Sequence, residues 1–227
     1  GSRGWNGVPP EIAGVNPLLN QFRNGAEGEE YVSWIVTTSL NWTLEKFDVS
    51  AVLNYHDQNM QWVGDQDGGE VTSIFAGEEN KWENLSAEVR AVTRFDQPVN
   101  FVLGAYYQAT ERWFDQDVIF AFASIPPLGV FGPRNSDPSI PNPDDEFTAY
   151  NKISETDGET QSVYGEVVWD INDRWQLTAG ARYHHETKDS YFIQPYVHPF
   201  LPGLFIPYDP ANPATRVEFD QTFKKWI

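Results

Sequence analysis

The chain contains no cysteine. That one absence excludes disulfides, thiolate zinc sites and cysteine nucleophiles. There is also no run of about 18 apolar residues, the length a membrane-spanning helix needs. Basic residues are scarce, with 15 Lys and Arg against 33 Asp and Glu and a formal charge of -18. Such a balance disfavours nucleic acid as a partner, because neutralising phosphates takes Lys and Arg. Catalytic signatures are missing too: there is no GxSxG, no HExxH and no GxGxxG ahead of a helix. Carboxylate pairs abound, but none stands out as a general acid and base. The sequence therefore implies neither an enzyme nor a bound cofactor. No repeat of fixed period occurs, which argues against a solenoid or propeller. The chain begins at Gly1 without Met, a basic n-region or an apolar h-region, so any signal peptide is expected to be missing from it.

Aromatic residues, by contrast, are plentiful. They make up 15% of the chain, with nine Trp, yet the mean hydropathy is -0.50. At 227 residues the chain is long enough to bury a core. Large rings embedded in acidic sequence nonetheless suit a transmembrane barrel better, because only alternate strand residues meet lipid and the long loops are hydrophilic.

The clearest pattern runs over residues 160–188. Val163, Gly165, Val167 and Trp169 alternate with Tyr164, Glu166 and Val168. After a turn at 170–174, Trp175, Leu177, Ala179, Ala181 and Tyr183 alternate with Gln176, Thr178, Gly180, Arg182 and His184. A period of two on both sides of a short turn predicts an antiparallel hairpin. The same reading along the chain predicts strands near 30–43, 46–62, 82–95, 99–114, 160–170, 174–189 and 216–227. Residues 1–29 read as loop, and 64–80, 115–158 and 190–215 as long connections. Tight turns thus alternate with long acidic loops, as in a barrel with one periplasmic and one external end.

Residues 85–108, LSAEVRAVTRFDQPVNFVLGAYYQ, and 162–189, SVYGEVVWDINDRWQLTAGARYHHETKD, resemble the barrel hairpins of TonB-dependent outer-membrane receptors. The final VEFDQTFKKWI resembles the strand that follows them. The resemblance implies an all-β antiparallel meander, part of a transmembrane β-barrel with long extracellular loops and short periplasmic turns. It also implies a Gram-negative outer-membrane setting in contact with lipid, and import of a scarce small molecule such as an iron-siderophore complex, cobalamin or an oligosaccharide. Energy would come from TonB through an N-terminal region. No TonB box, plug or terminal aromatic strand is found, and about seven strands cannot close a plugged barrel of about 22. The expectation is that residues 1–227 are a fragment of such a barrel. A passive porin or adhesive barrel is the alternative, and a soluble carbohydrate-binding all-β domain with a two-sheet core is a third reading.

On that scheme Val36, Leu40, Leu53, Val89, Leu103, Val167, Leu177 and Ala181 face outward, while Glu88, Arg90, Glu166 and Arg182 face the lumen. Those four charges would line a ligand path or hold the plug. The plainer account is cross-strand ion pairing in the barrel wall, worth fractions of a kcal/mol when hydrated. Trp42, Phe47, Phe101, Trp169 and Trp175 would form an aromatic belt near the short turns, and Trp34, Tyr55, Tyr107 and Tyr183 a looser second one. His184, His185 and Glu186 resemble a metal cluster, but consecutive strand residues point to opposite faces and cannot share one ion. Asp65, Asp67, Glu70 and the acidic run 144–146 could offer oxygen ligands to calcium, although solvated loop charge explains them as well. Two glycosylation sequons, at 41–43 and 84–86, fall in predicted strands and are discounted.

Overall fold

The computed structural model describes residues 22–23, 27–66, 74–120, 123–125, 129–131, 148–198, 201, 203 and 205–227. Its strands are β1 (Gly28–Thr43), β2 (Phe47–Asp65), β3 (Ile74–Thr93), β4 (Val99–Phe120), β5 (Ala123–Ile125), β6 (Gly129–Phe131), β7 (Thr148–Asn172), β8 (Trp175–Ile193) and β9 (Val217–Trp226). Seven of them form one antiparallel meander in the order β1-β2-β3-β4-β7-β8-β9, and β5 and β6 pair separately. Among the described residues the only helical element of three residues or more is the 3-10 turn Pro213–Thr215. The two-sheet core of a soluble sandwich is therefore not what this sequence builds.

Local hydrogen bonds, from the backbone at the first turn and from asparagine side chains at the other two, fix the geometry of the tight turns. The Leu44 N–H donates to the Phe47 carbonyl at 2.8 Å, closing the first tight turn. At the second, Asn100 Oδ1 accepts the Phe95 N–H at 2.7 Å and the Thr93 hydroxyl at 2.9 Å. At the third, Asn172 Oδ1 accepts the Arg174 N–H at 3.0 Å, the local bond that makes Asn favourable at a turn. That last turn is shorter than the predicted 170–174: the strands run on to an Asn172–Trp175 pair, and the register slips between Asp170 and Asn172. A bulge there absorbs the extra Ile171.

At the opposite end the strands outrun the predicted bounds. Strand β3 begins at Ile74 rather than 82, β4 continues to Phe120, and β7 begins at Thr148 rather than 160. The long connections are correspondingly shorter. Neither face of these extensions is an apolar band: buried Phe75, Ala76, Val118, Ile119 and Ala149 lie among polar residues, so the polar/apolar alternation that marks a strand fades while the backbone ladder continues.

The register makes each face continuous. Leu40, Ala51, Val89, Ala105, Val163 and Tyr183 are successive cross-strand partners on one face. On the other, Asn54, Ser86, Gln108, Thr160 and Glu186 form an equivalent row. Burial is inverted relative to a water-soluble core. Leu40, Leu53, Val89, Leu103, Val163 and Leu177 are each about half exposed or more, whereas Ser162 and Asn84 on the polar face are buried. Buried apolar side chains gather instead at the long-loop end, where Leu201 packs with Ala76, Val118 and Ala149, and Phe205 stacks on Tyr150 at 4.5 Å.

Candidate functional site

The polar face carries three groups of side-chain hydrogen bonds across β3, β4, β7 and β8, with the Arg182 guanidinium between them. The Tyr164 hydroxyl donates to Glu88 at 2.6 Å, and Arg182 donates to the Ser162 hydroxyl at 2.7 Å. The Tyr106 hydroxyl donates to Gln108 at 3.0 Å, and the Gln108 amide donates to Asn84 at 2.6 Å. The Arg182 guanidinium lies 6.0 Å from the Tyr106 ring centre and 5.9 Å from that of Tyr164, within cation-π range of both. These groups border an open recess of about 500 Å³ lined by Glu88, Tyr106, Gln108, Thr160, Arg182, His184 and Glu186.

All four charges singled out from the sequence lie on this polar parity: Glu88 opposite Tyr106, Arg90 opposite Gly104, Glu166 opposite Gly180 and Arg182 opposite Tyr164. They do not pair with one another. Among the described residues the ion pairs are Lys81–Glu79, Arg94–Asp48, His184–Glu186, Lys188–Glu186 and Arg216–Glu218, so none of the four takes part in one. Glu88 and Arg182 are held instead by tyrosines and a serine, which the alternation by itself does not reveal. A hint existed in Gly104: a glycine inside a strand marks a place where something lies close against the backbone, and here it is the Tyr164 ring. His184 and His185 fall on opposite faces, opposite Ser162 and Gln161. Of the acidic loop residues, Asp65 ends β2, while Asp67, Glu70 and 144–146 lie outside the described residues.

The apolar face has its own order. Trp42, Phe47, Phe101, Trp169 and Trp175 are exposed on it, all within a few residues of the tight turns. Trp34, Tyr55, Tyr107 and Tyr183 follow further along the same parity. In the row that Trp34 begins, Asp57, Glu83, Glu111, Asp157, Asp189 and Asp220 are direct partners across six adjacent strands. Like charges opposite one another repel, so this row belongs where water and counter-ions reach it.

Further still along this parity, at the long-loop end, Glu79 accepts from the Asn59 and Gln61 amides, each at 3.0 Å, and pairs with Lys81 at 3.3 Å. Burial alone would raise its carboxyl, but the Gln61 and Asn59 bonds and the Lys81 charge together hold it below the usual carboxylate value. Asp115 goes the other way. Burial pushes it up, and the Asn151 amide that donates to it at 2.9 Å offsets this only in part.

A single sheet with an exposed aliphatic band, aromatic residues at both of its margins and a hydrogen-bonded polar reverse side is the wall of an outer-membrane type β-barrel. Residues 2–223 match the family model described as TonB dependent receptor-like, beta-barrel, and the chain belongs to that family. TonB-dependent receptors are outer-membrane proteins of Gram-negative bacteria, a family of transporters and receptors. No curated protein matches the sequence significantly. Among solved structures, the chain is similar to the ferric yersiniabactin uptake receptor FyuA from Yersinia pestis. That likeness has a TM-score of 0.59 at 14% identity, over 88% of this chain and 24% of that one. The ferric citrate transporter FecA in its unliganded form gives a TM-score of 0.49 at 12% identity, over 86% of this chain and 24% of that one. The FyuA likeness is one of fold. The chain spans about a quarter, 24%, of the length of each of these two proteins.

Proposed function

We propose that residues 1–227 form part of the barrel wall of a TonB-dependent receptor in the outer membrane of a Gram-negative bacterium. The receptor imports a scarce small molecule, an iron-siderophore complex, cobalamin or an oligosaccharide, with energy delivered by TonB through an N-terminal plug region. The observation that carries this reading is the inverted pairing of faces: exposed Leu40, Leu53 and Leu103 on one side of a single sheet, and the Tyr164–Glu88 and Arg182–Ser162 bonds on the other. Glu88, Arg90, Glu166 and Arg182 then line the lumen. Their freedom from ion pairs among the described residues leaves their charge available to a plug or a passing ligand. The solved structure that the chain resembles in fold, a ferric yersiniabactin uptake receptor, makes an iron complex the first ligand to test.

The test is uptake by cells with and without the protein, each with TonB present or deleted, supplied with ferric siderophores, cobalamin or oligosaccharides. Uptake of one class that needs both the protein and TonB is the expected result. Entry that persists without TonB would make the barrel a passive porin.

A further inference from the structure

Charge is sorted between the two faces. Among the described strand residues the polar parity carries Arg90, Arg112, Lys152, Arg182, Lys188 and Lys225, whereas the apolar parity carries Lys81 and Lys224. The carboxylate row from Asp57 to Asp220 lies on the apolar parity. In a chain of net charge -18 the cations therefore gather on the side turned away from lipid. Three of them, Arg112 on β4, Lys152 on β7 and Lys188 on β8, border one strip between the Glu88 recess and the long-loop end. At about 4.8 Å between strands and 3.3 Å per residue, their backbone positions are roughly 12 to 20 Å apart. One small anion cannot engage all three.

The ground between them is low and polar. Thr156 stands between Arg112 and Ser190 as their direct partner, and Gly158 stands between Thr110 and Lys188. A side chain at Gly158 would crowd the Thr110 hydroxyl, which its Cβ would approach to 2.6 Å. Aromatic rings flank this floor. Lys152 lies 5.2 and 5.3 Å from the ring centres of Phe114 and Phe192, and Phe219, opposite Ser190, is 59% exposed. Arg112 donates to Asn80 at 3.1 Å, and neither it nor Lys152 takes part in an ion pair among the described residues. The carboxylates of the strip are already engaged, Glu186 with His184 and Lys188, and Glu78 with the Gln116 amide. Two cations are thus held in place with their charge uncompensated.

Resting on the import reading above and choosing among its ligands, we propose that this strip is a binding track for an acidic oligosaccharide, a short chain of uronic acid units. Its carboxylates, carried at intervals along the chain, take Arg112 and Lys152, the guanidinium through paired hydrogen bonds. Its hydroxyl groups meet Thr110, Thr156 and Ser190 on the floor, and the apolar face of a sugar ring covers Phe219, whose exposure to a wet lumen is otherwise unfavourable. The track accounts for three features together: cations set far apart, a floor of small hydroxyl side chains, and exposed rings on a polar face. A compact metal chelate concentrates its charge at one centre, and a neutral sugar leaves the cations without a partner.

The experiment is calorimetric binding to the full-length receptor of trigalacturonate and of its uncharged methyl ester, which keeps the rings and the hydroxyl groups. The acid should bind, and the ester should bind about tenfold more weakly or worse. Arg112→Gln and Lys152→Gln should each weaken the acid about tenfold and leave the ester unchanged, as removal of one charged hydrogen-bond partner does. Phe219→Ala should weaken acid and ester by the same factor, and Lys224→Gln, on the lipid face, should change neither. No binding of the acid, equal binding of acid and ester, or an acid affinity untouched by both Arg112→Gln and Lys152→Gln would overturn the track. Uptake by cells separates that failure from failure of the import reading. TonB-dependent uptake of a ferric siderophore or cobalamin, with none of trigalacturonate, would overturn the ligand class and leave the importer standing. Absence of TonB-dependent uptake for all of them would overturn the importer itself.

Discussion

The Tyr164 hydroxyl reaches Glu88 at 2.6 Å by crossing an entire intervening strand, its ring laid over Gly104. Residues 76 apart in sequence are thereby joined across β7, β4 and β3. A Cβ at Gly104 would collide with that ring. Gly104→Ala should therefore destabilise the barrel by about 1 to 3 kcal/mol, the usual range for overpacking. In a Tyr164→Ala background the same change should cost almost nothing, since the obstructing ring is gone. Urea midpoints of the four proteins in a double-mutant cycle measure the coupling. Additive effects would mean that ring and glycine do not meet.

Tyr164→Phe keeps the ring over Gly104 and removes only the bond to Glu88. The expected loss is about 1 kcal/mol, because the bond is exposed and a typical net contribution is of that size. A loss as large as that of Tyr164→Ala would show that the ring itself contributes little.

The two faces should respond oppositely to charge. Leu103, exposed on the apolar parity, becomes a charge in hydrocarbon when changed to Arg, at a cost of about 2 to 4 kcal/mol at mid-bilayer. Gln108→Arg, on the polar parity beside Asn84, should stay within about 1 kcal/mol. Equilibrium unfolding in lipid vesicles reads both. Were Gln108→Arg the costlier change, the faces would be reversed.

How far the sequence reveals this molecule depends on the medium around each residue. Where one face meets hydrocarbon and the other does not, as in Leu177, Ala179 and Ala181 against Thr178, Gly180 and Arg182, alternation is sharp and the strands are legible. The first stretch of β7, TAYNKISETDGE, has no such contrast, so it reads as loop although it pairs with β4 throughout. The last strand is legible in its alternation, but its orientation is not. Val217, Phe219 and Phe223 pair with Phe192, Ser190 and Glu186 on the polar parity, while Trp226 joins Tyr183 on the apolar one. Face assignment there rests on register with β8, which a single strand's pattern does not carry. The polar candidates were legible as a parity for the same reason the strands were. Their partners were not, because Tyr164 finds Glu88 only through the register of two further strand pairs.

The long-loop end should be sensitive to acid. Glu79 is held below its ordinary value in the folded protein, so its contribution to stability is fully present above the unfolded carboxylate value of about 4.3. It is lost as pH falls through the folded value. Gln61 donates to Glu79 and also accepts the Arg23 N–H at 2.8 Å, so protonation loosens the seat of the Phe22–Arg23 turn. Protection of the Arg23 amide from hydrogen exchange should be steady near neutrality and collapse in that acid window. Asp115, raised by burial, contributes in the opposite sense and favours the folded state at low pH. Glu79→Gln should therefore remove most of the acid-induced loss of Arg23 protection. A loss unchanged in that variant would assign it to other carboxylates.

The aromatic residues should mark two depths. Trp42, Trp169 and Trp175 all flank tight turns on the apolar parity, whereas Trp34 lies eight residues back along β1 from Trp42. At about 3.3 Å per residue and a tilt near 40°, that separation projects to roughly 20 Å along the bilayer normal, approaching the height of the apolar band. In single-Trp variants reconstituted with lipids brominated at defined depths, Trp42, Trp169 and Trp175 should share one shallow quenching profile. Trp34 should be quenched as a shallow residue of the opposite leaflet, and therefore respond when bromine is placed in that leaflet alone. Trp169 is the most informative of the four, because the bulge between Asp170 and Asn172 lies directly beside it. If the bulge rotated the strand, Trp169 would turn to the polar face and lose quenching altogether, while Trp175 across the turn kept it. Shared quenching of Trp169 and Trp175 therefore tests the face and the register at once.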